Sequence, residues 1–315
     1  MKKRIITALI LAIILIPAVV VPSLINVLDC IFMLFVAGAT IELLNMYDKD
    51  KKIALPMKII TVCLTLILYF SILNSFTTMV PELSNSLMVK FVDLIQISKF
   101  LNPAIALIAI LIILMSGLVF VHDYTVTDLG RIYIAIIYVG VCGSAITITR
   151  YLGVRYIFYL LLITTATDIF ALVVGLTLGK HKMAPTISPK KTWEGAIGGS
   201  IVATIIGCLF ILLYPNIETL FHIGSGNEFF NGLFRYNEFT MFGKVAFAII
   251  VSVFLSVCSQ IGDLVASKLK RNYNIKDYSN IFPGHGGILD RFDSAFFAAA
   301  IFLLFIIIEA NLFPW

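Results

Sequence analysis

The residues best suited to chemistry lie together in a charged stretch near the C-terminal end, residues 267–293. Its sequence is S-K-L-K-R-N-Y-N-I-K-D-Y-S-N-I-F-P-G-H-G-G-I-L-D-R-F-D, with five of the 23 basic residues of the chain and three of its 18 acids. Long apolar runs lie on both sides of it. Charge in such a place is costly unless it is solvated at a membrane surface or used for binding. The stretch therefore predicts a functional site at a membrane surface.

Four polar residues at the beginning of this region have the spacing of a single helix face. They are Asp263, Ser267, Lys270 and Arg271, at positions i, i+4, i+7 and i+8. These positions share a face if the helix continues through residue 271. A carboxylate, a hydroxyl and two cations suit a phosphate group and its metal ion. The alternative is an ordinary helix end, at which lysine and arginine extend toward water.

A glycine-rich turn follows, with the sequence P-G-H-G-G over residues 283–287. Glycine permits positive φ and lets backbone N–H groups approach an anion closely. The turn therefore predicts substrate binding by Gly286, Gly287 and His285. For His285 a second interpretation stays open, that of a histidine hydrogen-bonded within the turn.

Acids and a base come directly after the turn, where the last apolar run begins. They are Asp290, Arg291 and Asp293. Acids at a helix start often act only as caps and as partners of the helix dipole. Here acids stand beside bases at the mouths of two successive helices, with a flexible turn between them. This repetition favours a binding or catalytic role.

A second polar cluster is the loop S-P-K-K-T-W-E-G, residues 188–195. Its adjacent lysines, Lys190 and Lys191, and the hydroxyls of Ser188 and Thr192 form a plausible phosphate cradle. Glu194 stands near a helix start, where it can be a cap or a ligand. The alternative is a basic loop that only anchors the chain at the cytoplasmic membrane surface.

Asp168 lies well inside an apolar run, about 18 Å of helix before Lys180. An uncompensated carboxylate at that depth costs about 3 kcal/mol or more, so we expect it to face a cavity or a partner. Small and polar residues continue this stripe at helical spacing: Thr164, Ala171, Gly175 and Gly179. A protonated or hydrogen-bonded packing residue is the alternative.

The composition shows which elements must position these residues. The chain is 60% hydrophobic and only 13% charged, with a mean hydropathy of +1.02. Its long apolar runs exclude a β-barrel, whose strands alternate with a period of two. We predict an all-α, polytopic integral membrane helical bundle with about nine transmembrane helices. The predicted spans are 5–25, 27–46, 57–80, 101–121, 130–148, 154–178, 196–214, 242–262 and 294–312.

The distribution of basic residues orients this bundle. With nine spans, 17 of the 23 lysines and arginines fall on the side of the N-terminus and six on the other. The positive-inside rule then places the N-terminus and the polar clusters in the cytoplasm and the C-terminus outside. We expect a multi-pass protein of the cell membrane. Residues 1–150 are predicted to form a membrane anchor, and residues 151–315 a transmembrane catalytic region.

The polar clusters together resemble a known family. Residues 267–293 are similar to the signature of the phosphatidate cytidylyltransferases, also called CDP-diacylglycerol synthases. The resemblance lies in the spacing of the Lys-Arg pair, the Lys276-Asp277 pair, the P-G-H-G-G turn and the final Asp-Arg and Asp. Residues 168–195 are also similar to the family, except at Leu172, where an aromatic residue is expected. Before residue 150 the resemblance is only to a set of spans.

The resemblance implies a reaction, its cofactor and its partners. CTP and phosphatidate from the membrane lipid would give CDP-diacylglycerol and pyrophosphate with Mg²⁺. It also allows a second cation and implies a homodimer, and it implies no nucleic acid. A phosphate monoester is already ionised near neutral pH, so the main difficulty is to bring two polyanions together.

We assign roles on this basis. Asp263 and Asp290 would bind the metal, and Asp293 and Glu194 would orient neighbours or metal-bound water. Phosphates would be neutralised by five cations: Lys190, Lys191, Lys270, Arg271 and Arg291. Hydroxyls would donate hydrogen bonds from Ser188, Thr192 and Ser267, and Asp168 would line the lipid entry cavity. Lys276, His285, Gly286 and Gly287 complete the predicted substrate-binding residues.

Two other functions remain as alternatives. A transporter would use Asp168, but it predicts acids spread near the membrane midplane, whereas these charges cluster at one surface. A phosphotransferase that consumes CDP-lipids would rest on several acids along helix faces, without the basic loop or the glycine-rich turn.

Overall fold

A computed structural model gives the structure of the protein and describes residues 2–94, 98, 100–221, 229–230, 236, 239–284 and 286–312. This part of the chain is mainly α-helical. Its helices are α1 (Lys2–Val20), α2 (Ile25–Tyr47), α3 (Leu55–Ser75), α4 (Leu87–Leu94), α5 (Pro103–Phe120), α6 (Val126–Leu152), α7 (Val154–Thr177), α8 (Trp193–Phe221), α9 (Met241–Asn272) and α10 (Leu289–Leu312). Two short strands, β1 (Lys182–Ala184) and β2 (Ser188–Thr192), precede α8.

Within the described residues, eight helices are long and apolar enough to cross a membrane. They are Pro22–Tyr47, Leu55–Ser75, Pro103–Phe120, Val126–Leu152, Val154–Thr177, Trp193–Asn216, Met241–Asn272 and Leu289–Glu309. Helix α1 adds a shorter apolar run, Leu9–Val20, which ends just before Pro22 because the residue that precedes a proline disfavours helical backbone. The prediction of a polytopic helical membrane protein is confirmed.

Several predicted span ends differ from the structure: α1 ends at Val20, five residues before the predicted end, and α9 continues to Asn272, ten residues beyond its predicted end. The third span was predicted to reach Val80, but α3 ends at Ser75, where the Ser75 hydroxyl donates to the carbonyl of Ile72. The last span was predicted to begin at Ser294, but α10 begins five residues earlier, at Leu289. Asp290 and Arg291 therefore lie in the first turn of α10. The β1–β2 hairpin and helix α4 were not predicted.

The residues Met1–Tyr151 and Asn272–Arg291 form one compact unit. In this unit α6 packs against α2 and α3 at two glycines: a Cβ on Gly143 would collide with Val36, and one on Gly140 would lie 3.1 Å from Leu68. Small residues let membrane helices approach closely, where van der Waals contact holds them. The remaining residues, Leu152–Arg271 and Phe292–Trp315, form the second unit.

In the second unit, α7 and α8 lie in close contact through glycines four residues apart. A Cβ on Gly195 would collide with the carbonyl of Ala171, and one on Gly199 would lie 2.8 Å from the Ala171 nitrogen and the Thr167 carbonyl. This spacing is the small-xxx-small pattern of membrane helix pairs. The start of α8 is thereby held against the middle of α7, close to Asp168.

The hairpin that leads into α8 is antiparallel. Lys182 pairs with Thr192 and Ala184 with Ser188, and the Ile187 N–H donates to the Ala184 carbonyl to close the turn. The hairpin fixes the direction of the 188–192 strand and so of its two lysines.

Candidate active site

The polar face predicted on α9 is present. The helix continues to Asn272, so Asp263, Ser267 and Lys270 share one side of it. The Ser267 hydroxyl donates to Asp263 at 3.4 Å, and Lys270 is buried. The Arg271 guanidinium donates to the carbonyl of Ile187 at 3.3 Å, which ties the end of α9 to the turn of the hairpin.

Three helices of the second unit bring three carboxylates together. Asp263 on α9 is an electrostatic neighbour of both Asp168 on α7 and Asp293 on α10. Ser294 donates its hydroxyl to Asp168 at 3.2 Å and its backbone N–H to Asp293 at 2.8 Å. Close approach of α9 and α10 requires Gly262, because a Cβ there would lie 2.7 Å from the Asp293 carbonyl.

A cavity of about 240 Å³ joins this cluster to the hairpin. The polar residues that line it are Asp168, Ser188, Lys190, Lys191, Thr192, Gln260 and Asp263. Across it, Lys191 Nζ lies 2.5 Å from Asp263 Oδ2. The transporter alternative predicts acids spread near the membrane midplane, whereas Asp168 shares this cavity with two lysines and a second acid. The cavity is thus lined by both acidic and basic side chains, next to the apolar helices α7 and α9.

Two residues predicted in the 188–195 loop have local partners. The Thr192 hydroxyl accepts a hydrogen bond from the Gly195 N–H at 3.2 Å and so caps α8. The Glu194 carboxylate lies 2.6 Å from His181 Nδ1 and does not line the cavity described above. A substrate-binding role for Glu194 stays a prediction.

In the first unit, the predicted glycine-rich turn belongs to a longer segment, residues 278–288, that we call the glycine loop. Gly284 and Gly286 adopt positive φ, 79° and 83°. Asp290 Oδ2 accepts hydrogen bonds from the N–H groups of Tyr278 at 2.8 Å and Gly287 at 2.9 Å. One aspartate of α10 therefore binds both ends of the loop that precedes it.

The other predicted residues of this region have different surroundings. Lys276 and Arg291 are exposed. His285 lies outside the described residues. Tyr273, just before the glycine loop, contacts Arg131, whose guanidinium carbon lies 5.5 Å from the ring centroid. Burial raises the pKa of the Tyr273 phenol.

Sequence reasoning missed two residues of these sites. Gln260 lies one turn before Asp263 and donates to the Ser200 hydroxyl at 2.7 Å while it lines the cavity. Glu42 on α2 is buried and accepts hydrogen bonds from the glycine loop and the start of α10. Both are polar residues inside apolar runs, the signal that identified Asp168.

The donor atoms around the cavity suit a hard cation. The Asp168 and Asp263 carboxylates and the Ser188 and Thr192 hydroxyls all present oxygen. Over the part of the chain that the structure describes, no three acid, histidine or cysteine side chains gather as a complete protein cage. Mg²⁺ does not need one, since it usually takes one or two carboxylates and completes its shell with water and phosphate oxygens. The residues therefore fit Mg²⁺ held jointly with a phosphate substrate.

Comparisons with known proteins agree along the whole chain. Residues 2–308 match the model of the cytidylyltransferase family. The chain is 34% identical to the phosphatidate cytidylyltransferase of Bacillus subtilis over 316 residues, covering 98% of this chain and 97% of that protein. It is 32% identical to the proteins of that name from Staphylococcus epidermidis and Staphylococcus aureus, covering 98% of this chain and 99% of each relative.

Proposed function

The chain belongs to the cytidylyltransferase family, and we propose that it transfers CMP from CTP to phosphatidate, giving CDP-diacylglycerol and pyrophosphate for phospholipid biosynthesis. The observation that carries this proposal is the cavity in which Lys190 and Lys191 meet Asp168 and Asp263 at the end of apolar helices. Such a cavity suits a reaction between a soluble polyphosphate and a lipid phosphate. The protein is an integral membrane enzyme of the nucleotidyltransferase class.

The reaction needs little covalent help from the protein. An oxygen of the ionised lipid phosphate attacks the α-phosphorus of CTP, and the bond from that phosphorus to the α,β-bridging oxygen breaks as pyrophosphate leaves. A phosphate monoester has its second pKa near 6, so it is mostly dianionic at neutral pH and needs no strong base. The barrier lies in joining two anions in line and in stabilising the charge that develops.

The cations of the chain supply that stabilisation. Lys191 and Lys190 bind phosphate oxygens in the cavity, while Lys270 and Arg271 extend the positive charge along the end of α9. Before substrate binds, Lys191 compensates the charge of Asp263 at 2.5 Å. When substrate binds, Lys191 pairs with its phosphates instead of with Asp263.

Asp263 is the carboxylate that we assign to Mg²⁺. When bound, the ion neutralises phosphate oxygens and helps the pyrophosphate to leave. Asp168 borders the same cavity and keeps its predicted role at the lipid entry. The prediction that Asp290 also binds this metal, the second cation and the homodimer remain predictions. EDTA should abolish product formation, and added Mg²⁺ should restore it.

We further propose that the cavity opens to the cytoplasm, where the positive-inside rule places both lysine-rich segments. With α1 as a ninth span beside the eight longer helices, the N-terminus would then be cytoplasmic and the C-terminus outside. Tags at each end of the full chain, probed with protease in intact cells, test this orientation. Only the C-terminal tag should be cut, and cleavage of the N-terminal tag alone would reverse it.

The activity is tested with the purified protein in detergent. The mixture contains CTP labelled at the α-phosphorus, Mg²⁺ and a short-chain phosphatidate. Label should enter the lipid fraction, with one pyrophosphate released for each lipid labelled. Diacylglycerol of the same chain length is the control, because it lacks the attacking phosphate and should stay unlabelled. Recovery of all label as free CMP or unreacted CTP would contradict the proposal.

The CDP-lipid-consuming alternative makes the opposite prediction. It requires release of CMP from CDP-diacylglycerol when an alcohol acceptor is added without CTP. We expect no such release above the rate of the no-protein control.

A further inference from the structure

Helix α2 carries a buried carboxylate whose partners all lie in the segment that leads into α10. Glu42 is 2% exposed. Its Oε1 accepts from the Ile288 N–H at 2.9 Å and the Ser279 hydroxyl at 2.5 Å, and its Oε2 accepts from the Leu289 N–H at 2.9 Å. Both oxygens are thus engaged by residues more than 200 positions later in the chain.

These bonds make Glu42 the cap of a helix to which it does not belong. The first N–H groups of α10 have no partner within the helix, and a negative charge at this end is favoured by the helix dipole. A carboxylate that bridges two successive N–H groups fixes both the start and the direction of α10. Asp290 and Arg291, the next two residues, take their positions from that start.

The glycine loop is shaped around the same carboxylate. A Cβ on Gly287 would collide with the Glu42 side chain, and one on Gly38, a turn before Glu42, would collide with Ile288. Asp290 in turn binds the N–H groups of Tyr278 and Gly287. The loop is therefore held between two acids, one from α2 and one from α10.

The opposite end of the segment is also anchored on α2. The rings of Tyr47 and Tyr273 lie 5.4 Å apart, and Arg131 contacts the Tyr273 ring from α6. Tyr47 and Glu42 are both on the last two turns of α2. This helix, which sequence reasoning treated only as a membrane anchor, forms the support of the loop.

We propose that Glu42 is a positioning residue for nucleotidyl transfer, which holds Asp290, Arg291 and the glycine turn where they act on phosphate. This rests on the proposed function and on the roles predicted for those groups from the sequence, in which they bind the metal or the phosphates. Loss of the cap would let the loop open and displace them. A displacement of about 1 Å costs about 10- to 100-fold in rate when the groups act on the charge of the transition state.

The test compares Glu42→Gln with Asp29→Asn on the same helix. Asp29 is also 2% exposed and accepts from Ser86 and Tyr151, away from the glycine loop. Glutamine keeps the size of Glu42, but it presents an NH₂ group to one of the donors. In Glu42→Gln, backbone amide exchange at residues 278–289 should rise at least about tenfold, and kcat should fall about 10- to 100-fold with a smaller change in the KM for CTP.

The control should lower the thermal midpoint without these two effects. An unchanged kcat in Glu42→Gln, or an equal kcat loss in Asp29→Asn, would overturn the proposal. If Glu42→Gln does not fold, Ser279→Ala is used, since it removes one of the three bonds to Glu42. Amide exchange and kcat should then change in the same directions by about three- to fivefold. If neither changes in this variant, the proposal is overturned. If the wild type forms no CDP-diacylglycerol, the proposed function fails while amide exchange still reports on the cap.

Discussion

Two segments of the chain lead into membrane helices and contain predicted substrate-binding residues, yet they are anchored by different means. The hairpin, residues 182–192, is held by its own strand pairing and by Thr192, which caps α8 only three residues away. The glycine loop, residues 278–288, depends on Glu42, 246 residues before Ile288. The hairpin is held mainly by local bonds, to which Arg271 adds one from α9, whereas the glycine loop depends on a residue far away in the sequence.

The difference separates two kinds of acidic residue. In the second unit, Asp263 pairs with Lys191 beside a cavity. When phosphate binds Lys191, the Asp263 carboxylate can bind a cation instead. In the first unit, both oxygens of Glu42 accept hydrogen bonds from backbone N–H and hydroxyl donors. The first arrangement suits chemistry and the second suits positioning.

The largest effect is expected when the charge of Asp263 is removed. Asp263→Asn should lower kcat by about 10³-fold, since a group that stabilises transition-state charge is lost. The matched control is Asp128→Asn, which also breaks an acid–lysine pair, with Lys51. The control should lose stability but keep activity within about threefold, because Asp128 is buried among its own partners, Lys51 and Thr125, and does not line the cavity. Equal losses in the two variants would mean that Asp263 acts through stability alone.

The two lysines of the hairpin should differ. Lys191 is half-buried against Asp263, whereas Lys190 is exposed. We expect Lys191→Ala to lower kcat/KM about 100-fold and Lys190→Ala about tenfold or less, because a desolvated cation interacts more strongly with phosphate. Steady-state kinetics with both substrates measures this. A larger loss for Lys190 would reverse the assignment.

A smaller effect is expected in the glycine loop. Gly286 has φ = 83°, and a Cβ there would lie 2.7 Å from Asp290 Oδ2. Gly286→Ala should therefore displace Asp290 and lower kcat about tenfold or more. Gly130 on α6 has no atom within 4 Å of an added Cβ. Gly130→Ala should leave kcat unchanged and stabilise the fold by about 0.5 kcal/mol, measured by thermal unfolding.

The smallest effect is expected at the exposed end of the hairpin. His181→Ala removes the contact with Glu194, and strand pairing still holds the segment. Activity should stay within about twofold of the wild type, since exposed ion pairs contribute little. A larger loss would show that Glu194 must be oriented by His181, which would support the predicted substrate role of this acid.

Much of the second-unit site could be predicted from the sequence. Helical spacing indicated the Asp263 face of α9, and the helix does continue through residue 271. The cost of a carboxylate in an apolar run led to a cavity at Asp168, and the structure contains one. These inferences needed only local geometry and the energetics of charge in the membrane.

The rest required contacts that no local pattern encodes. Glu42 was absent from the predicted site because its partners lie on another part of the chain, even though its place in an apolar run was a usable signal. The start of α10 was predicted five residues late for the same reason. Its first turn is polar in sequence and becomes helical where Glu42 accepts from the N–H groups of Ile288 and Leu289.

The most direct test of the account follows the oxygen atoms of the lipid phosphate. Phosphatidate labelled with ¹⁸O at its non-bridging phosphate oxygens is incubated with the protein, CTP and Mg²⁺, and both products are analysed by mass spectrometry. Attack by the lipid phosphate on the α-phosphorus predicts that CDP-diacylglycerol retains all of the ¹⁸O and that the released pyrophosphate contains none. Heavy pyrophosphate, or a lipid product that has lost label, would contradict direct transfer of CMP to phosphatidate.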